Sequence, residues 1–141
     1  MARTLLCEIV TPESILYTNE VEMVVASTPQ GEVGILPLHM PMVTCLAPGE
    51  VRLRYGSNAA DWEYFSIAGG YLQVHEDKVI ILADAAVPVS QIDVTRARES
   101  KARIEARIAE LPADAVDERE EAIRDLAWNE IQLKCGEKRC G

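Results

Sequence analysis

From Leu5 to Ala83 the chain strings short β-type runs together with no helical pattern between them. Leu5–Val10, Val21–Ser27, Met42–Leu46, Val51–Tyr55, Trp62–Ile67, Tyr71–Val74 and Lys78–Ala83 are rich in apolar and β-branched residues. Turn residues break them at Thr11-Pro12, Thr28-Pro29-Gln30-Gly31, Pro48-Gly49, Gly56-Ser57-Asn58 and His75-Glu76-Asp77. A parallel βαβ sheet needs crossover helices, which this pattern does not supply. At least seven closely spaced strands specify a sandwich or flattened barrel. Val51, Leu53 and Tyr55 alternate with Arg52 and Arg54, the pattern of a strand wetted on one face.

Near Pro88 the pattern changes. Ser90-Gln91-Ile92-Asp93 reads as a helix cap, close to a capping box. The run from there to Leu111 has no Gly or Pro, and Ala97, Ile104, Ile108 and Leu111 make one apolar stripe. Pro112 stops this helix. A second opens near Asp114, with acidic residues crowding its start, where the helix dipole favours them. Ile123, Leu126, Ala127 and Ile131 give its stripe, and Gly136 suits the C′ position. The chain therefore divides into a β-body, 1–88, and an antiparallel helix hairpin, 89–141. The two stripes are too lean to build a thick core, so the hairpin needs a third surface. The β-body or a partner would serve, and fixed packing and a mobile hairpin stay equally open.

Charge follows the same division. Of the 14 basic and 23 acidic residues, residues 1–89 hold 4 and 11, and the tail holds the rest at nearly balanced charge. A net charge of −9 disfavours nucleic acid and anionic lipid as partners. No apolar stretch approaches the ~20 residues that span a bilayer. The start carries no signal-peptide core, so the expectation is a soluble, cytoplasmic protein without bilayer insertion. Cys7, Cys45, Cys135 and Cys140 lack the close pairing of a zinc site and read as free thiols, with no metal.

No nucleophile elbow, Walker loop or dinucleotide fingerprint is present. A stand-alone enzyme would need Trp62, Tyr64, Tyr71, His39 and His75 to converge on a pocket. Gly69-Gly70 reads as a bulge or a close backbone approach. Gly31–Pro41, GEVGILPLHMP, is apolar and pinned by Pro37 and Pro41. It either folds back onto the core or is offered to a partner. In the first helix, Asp93–Arg96 and Glu99–Arg103 have the spacing of intrahelical ion pairs.

Four segments together resemble the epsilon subunit of the F-type ATP synthase, bacterial or chloroplast. They are LLCEIVTPE (Leu5–Glu13), GEVGILPLHMP (Gly31–Pro41), FSIAGGYLQV (Phe65–Val74) and QIDVTRA (Gln91–Ala97), in the order of that family and across almost the whole chain. The resemblance implies a non-catalytic central-stalk subunit with an N-terminal β-sandwich and a C-terminal helix hairpin. The sandwich would bind the gamma subunit and touch the c-ring, with Glu32, Ile35, Leu36, His39 and Met40 at the rotor interface. The hairpin would lie against the sandwich or extend toward the alpha and beta subunits, the extended state restraining ATP hydrolysis. It also implies a peripheral place in the F1 sector, on the cytoplasmic side of the cell membrane. Some relatives bind ATP on the folded hairpin as a regulatory ligand. Ile92, Asp93, Arg96 and Ala97 match their [IL]DxxRA motif, and Arg103 matches a downstream arginine. The second helix departs, with Asp125 and Asn129 where those relatives carry arginines and Arg124 pointing about 100° away. Two missing cations and an added anion weaken any triphosphate site. The resemblance implies no other cofactor.

Overall fold

The computed structural model describes residues 3–38 and 40–140, with side chains as far as Lys138. The chain forms two compact units, Met1–Pro88 and Val89–Gly141. The first contains β1 (Leu5–Val10), β2 (Ile15–Val21), β3 (Met23–Thr28), β4 (Gly31–Ile35), β5 (Met42–Leu46), β6 (Gly49–Arg54), β7 (Trp62–Ile67), β8 (Gly70–His75), β9 (Lys78–Ala83) and β10 (Ala86–Pro88). They make two five-stranded sheets, ordered β2-β1-β9-β8-β5 and β10-β7-β6-β3-β4. This is the expected β-sandwich. Neighbours pair antiparallel except β1 and β9, which run parallel.

Alternation builds the core. Leu5, Cys7 and Ile9 of β1 point inward, as do Leu72 and Val74 of β8 and Val79 and Ile81 of β9. They meet Val24, Val51, Leu53, Phe65 and Ile67 from the second sheet. Every member of this core cluster lies between Leu5 and Ala83, so the sandwich carries its own core. Tyr17 closes one side, its ring edge-on to Phe65 at 5.2 Å. Gly70, at φ 142°, sits against the main chain of β9: a Cβ there would run into the Leu82 carbonyl. The close backbone approach read at Gly69-Gly70 is therefore present.

Three strands depart from the sequence reading. β2 (ILYTNEV) buries only Val21, so it lacks the alternation that marks a strand. β4 (GEVGI) holds two glycines and reads as loop, yet it pairs with β3 from Val24↔Ile35 to Thr28↔Gly31. β10 (AVP) is a three-residue edge, where proline is tolerated.

Cys7 and Cys45 are free thiols, and Cys140 lies outside the described side chains. Burial, aided by the Glu8 charge, pushes the Cys7 thiol from an ordinary 9.0 up to about 12. Between those values the unfolded thiol has lost its proton while the folded one keeps it. The unfolded state then binds fewer protons, so stability should fall as pH rises from about 9 towards 12. Burial also raises Tyr17 to about 12, in the same direction. Iodoacetamide at pH near 8 should label the exposed Cys45 and spare Cys7 until urea unfolds the chain. Equal labelling of both under native conditions would contradict this burial.

The second unit opens with a 3-10 turn, Val89–Gln91, followed by α1 (Val94–Glu110) and α2 (Val116–Cys140). The N-cap is Asp93 rather than Ser90, because the 3-10 turn occupies Ser90 and the α-helix starts only at Val94. The Asp93 carboxylate accepts from the Arg96 N–H at 3.1 Å, so it caps the backbone instead of pairing with the Arg96 side chain. Ion pairs run between the helices: Arg98–Glu137 at 3.0 Å and Lys101–Glu130 at 3.9 Å. The expected Glu99–Arg103 pair is not among those formed by the described residues.

The α2 stripe is shifted in phase from the expected one. Ala122 is buried while Ile123 is 51% exposed. Gly136 lies inside the helix, not at its C′ position. A Cβ there would stand 3.0 Å from Ile92 and Val94 methyls, so glycine permits this close contact. At the turn, Arg119 donates to the Ile108 and Leu111 carbonyls, at 3.2 and 3.3 Å, and caps the C-terminal end of α1. No residue of α1 is fully buried, as the lean stripes suggested.

Candidate functional site

The outer faces of the two sheets differ in chemistry. On the second sheet, Arg52 pairs with Glu32 at 2.9 Å and Arg54 with Glu22 at 3.6 Å. Arg54 also lies over the Trp62 ring at 6.0 Å, and Trp62 stacks on Tyr64. Met23 and Val25, the latter 7% exposed, share that face by register with Arg54 and Arg52, so ion pairs and apolar side chains stand together there.

The outer face of the first sheet carries an apolar row beside a Lys78–Glu8 ion pair at 3.4 Å. Register aligns Cys45 with Tyr71, Tyr71 with Leu82, Leu82 with Val10 and Val10 with Ile15. One apolar row thus crosses all five strands. Tyr71 is 56% exposed, Leu82 47% and Ile15 62%. Val43 stands beside the row on β5, 71% exposed. A continuous apolar row in water marks a surface that a partner covers. The row comes from residues that alternate with the core: Tyr71 against Leu72, Leu82 against Ile81. In KVIILA both faces are apolar, and that is the one sequence signal of an outer face with a partner.

The segment between β4 and β5 lies toward the other end of this sheet: Leu38 is bonded to Asp77 in the turn after His75, whereas Tyr71 and Leu82 stand at the far ends of β8 and β9. The residues of GEVGILPLHMP divide between core and surface. Ile35 is fully buried and belongs to the core, so it is withdrawn from the expected interface set: β4 points it inward opposite Val24. Leu36, Leu38 and Met40 are exposed at 50%, 69% and 78%. His39 lies outside the described residues. Glu32 is exposed at the far end of β4 from Leu36, about 13 Å away at strand rise, and is held by Arg52. The expected set is therefore two places, a polar one at Glu32 and an apolar one at Leu36–Met40.

The nucleotide set on the hairpin lies at the cap and along the first half of α1. Ile92 packs at Gly136, Ala97 is half-buried, and the Asp93 carboxylate is engaged as a cap. Arg96 and Arg103 are exposed on α1. Asp125 is exposed on α2, while Asn129 keeps a buried Oδ1 without a partner among the described residues. A cleft of about 340 Å³ on the hairpin is lined by Lys101, Lys134, Glu130, Glu137 and Leu133, so its charges cancel. Among the described residues, no group of three or more His, Cys, Asp or Glu could hold a metal ion. Trp62 and Tyr64 face outward on one sheet and Tyr71 and His75 on the other, so the aromatic residues required for an enzyme pocket do not converge.

Comparison with known proteins follows the same outline. Residues 4–89 match the family described as ATP synthase, Delta/Epsilon chain, beta-sandwich domain. Over 114 residues the chain is 45% identical to the ATP synthase epsilon chain of Alkalihalophilus pseudofirmus, covering 81% of this chain and 84% of that one. Over 134 residues it is 37% identical to the epsilon chain of Desulforamulus reducens, covering 94% and 98%. Its fold is similar to a chain of the Euglena gracilis mitochondrial ATP synthase, OSCP/F1/c-ring, with TM-score 0.67, 24% identity, and coverage of 95% of this chain and 78% of that one. It is also similar to a chain of the Tetrahymena thermophila mitochondrial ATP synthase central stalk and c-ring, with TM-score 0.57, 14% identity, and coverage of 95% and 97%.

Proposed function

The chain belongs to the ATP synthase epsilon-chain family, and from that membership we propose how its two units act in the central stalk. The epsilon chain is a non-catalytic subunit, and its role is structural and regulatory within the rotor. The sandwich is the rotor-attached unit. Its apolar row, Cys45–Tyr71–Leu82–Val10–Ile15, together with Leu36–Met40, is the face that docks on the gamma subunit. The observations that carry this are the exposure of a row that crosses all five strands and the exposure of Leu36, Leu38 and Met40. Glu32, apart from that face and exposed, is the polar contact toward the c-ring. The hairpin is the regulatory unit, reaching the alpha and beta subunits when extended and restraining ATP hydrolysis. Its support is a helix pair with no fully buried residue on α1, held in part by exposed ion pairs. ATP is not adopted as its regulator, because α2 offers Asp125 and Asn129 where a triphosphate needs cations.

No helix among the described residues is long and apolar enough to cross a membrane. Attachment to the membrane sector, on its cytoplasmic side, would then come through gamma and the c-ring.

Copurification with a gamma subunit tests the docking face. Tyr71→Ala should weaken gamma binding by about tenfold or more, as expected for a central interfacial aromatic. Arg54→Gln, on the opposite face, should leave it unchanged. Equal effects of the two substitutions would remove the assignment.

A further inference from the structure

We infer that Asp77 is the positioning residue that holds Leu36–Leu38 in its docking conformation. The inference rests on the gamma-docking reading and adds to it the residue on which presentation of the segment depends.

Three non-glycine residues among those described have left-handed backbone: Leu38 at φ 67°, Glu76 at 50° and Asp77 at 59°. All three meet at one place. Glu76 and Asp77 are the central pair of the two-residue turn joining β8 to β9, closed by His75↔Lys78. Positive φ at both positions is what this tight hairpin requires, and aspartate tolerates it better than most residues. The turn therefore explains two of the three outliers. It does not explain Leu38, since a leucine gains nothing locally from a left-handed backbone.

The explanation for Leu38 is a hydrogen bond. Its N–H donates to Asp77 Oδ1 at 2.7 Å, across 39 positions of sequence. Asp77 is itself anchored. Its carbonyl accepts from the Leu6 N–H at 2.9 Å, which ties the turn to β1. Its Oδ2 lies 3.4 Å from Arg3 Nε. One aspartate thus connects the first sheet, through β1 and the β8–β9 turn, to the exposed segment. An N–H bond to a carboxylate is stronger than one to a neutral acceptor. The left-handed turn at Leu38 sets where the exposed Leu36 and Leu38 lie. Strain that a distant contact maintains on an exposed segment is characteristic of functional sites. Docking with the segment preformed avoids the cost of ordering it on contact.

The test uses the full chain with Asp77→Gly and Asp77→Asn. Glycine suits the turn and removes the carboxylate, so the sandwich should fold. Asparagine keeps an Oδ1 acceptor and tolerates the same backbone. Two measurements are made: exchange of the Leu38 amide in the isolated chain, and affinity for the gamma subunit. Asp77→Gly should speed exchange at Leu38 and weaken gamma binding about tenfold, while Asp77→Asn stays near wild type in both. Unchanged gamma affinity in Asp77→Gly, with Leu38 exchange accelerated, would overturn the positioning role and leave the docking face standing. Asparagine as weak as glycine would also overturn it. Wild-type chain that binds no gamma subunit would instead remove the docking reading itself. Should Asp77→Gly unfold, Leu38→Pro decides the matter: it deletes the N–H and forbids the left-handed φ without touching Asp77. Undiminished gamma binding by that variant would overturn the inference.

Discussion

Truncation after Pro88 is expected to leave a sandwich that still joins the rotor, while ATP hydrolysis by the assembled complex rises about fivefold or more, the lower range of ordinary coupling between sites. The first half follows from the core. Each of its members lies between Leu5 and Ala83, and none comes from the hairpin. The docking row and Leu36–Met40 also precede the cut. The second half follows from the hairpin's construction. Arg98–Glu137 and Lys101–Glu130 are exposed pairs, and such pairs contribute little each. Arg119 adds two carbonyl contacts at the turn. A helix pair held this way can exchange its internal contacts for contacts on a partner at small net cost. The measurement compares hydrolysis by the complex assembled with full-length and truncated chains. A truncated chain that fails to fold would contradict the self-contained core. Unchanged hydrolysis would remove the regulatory role of the hairpin.

The largest effect of a single substitution is expected at Gly70. Gly70→Ala should destabilise the sandwich by about 3 kcal/mol or more, combining backbone strain with overpacking. Gly69→Ala should cost about 1–2 kcal/mol, since strain alone operates there. Both glycines have positive φ, 125° and 142°, but their surroundings differ. The nearest atoms to a Cβ at Gly69 stand 3.6 Å away, an ordinary contact. At Gly70 the obstacle is the Leu82 carbonyl, fixed in the ladder where Tyr71 pairs with Leu82 and Gly70 with Ala83. Main chain in a ladder cannot swing aside as a side chain can. Urea denaturation followed by circular dichroism gives both values. Equal losses at the two positions would mean that the clash is relieved by a shift not foreseen here.

Those strands were legible in the sequence where one face is buried and a turn residue closes each end, as in Val51–Arg54 and Lys78–Ala83. β2 was not, because Ile15, Leu16 and its polar residues are exposed and only Val21 enters the core. β4 was hidden by its glycines. The α2 stripe was misphased because large residues were taken to mark the buried face. The close approach instead falls on small ones, Ala122 and Gly136. The apolar row was beyond sequence reasoning for a different reason. Cys45, Tyr71, Leu82 and Val10 become neighbours only through strand register, and register across non-adjacent segments is a tertiary property. The same holds for Asp77 and Leu38. His75-Glu76-Asp77 was recognisable as a turn, but nothing in its spacing points to a partner in GEVGILPLHMP.

The parallel pairing of β1 with β9 has a consequence for biosynthesis. Leu6 lies opposite Lys78, 72 positions later, so β1 can pair early only with β2. At about 5–20 residues per second of translation, β1 waits on the order of 4 to 14 s for its second neighbour. During that interval one edge of LLCEIV is unpaired, a state prone to association with other chains. The sandwich can close only once β9 has been made, and the hairpin is synthesised last. A helix pair encoded after the sandwich emerges when the sandwich is already able to fold, which keeps its lean apolar stripes from competing for the core.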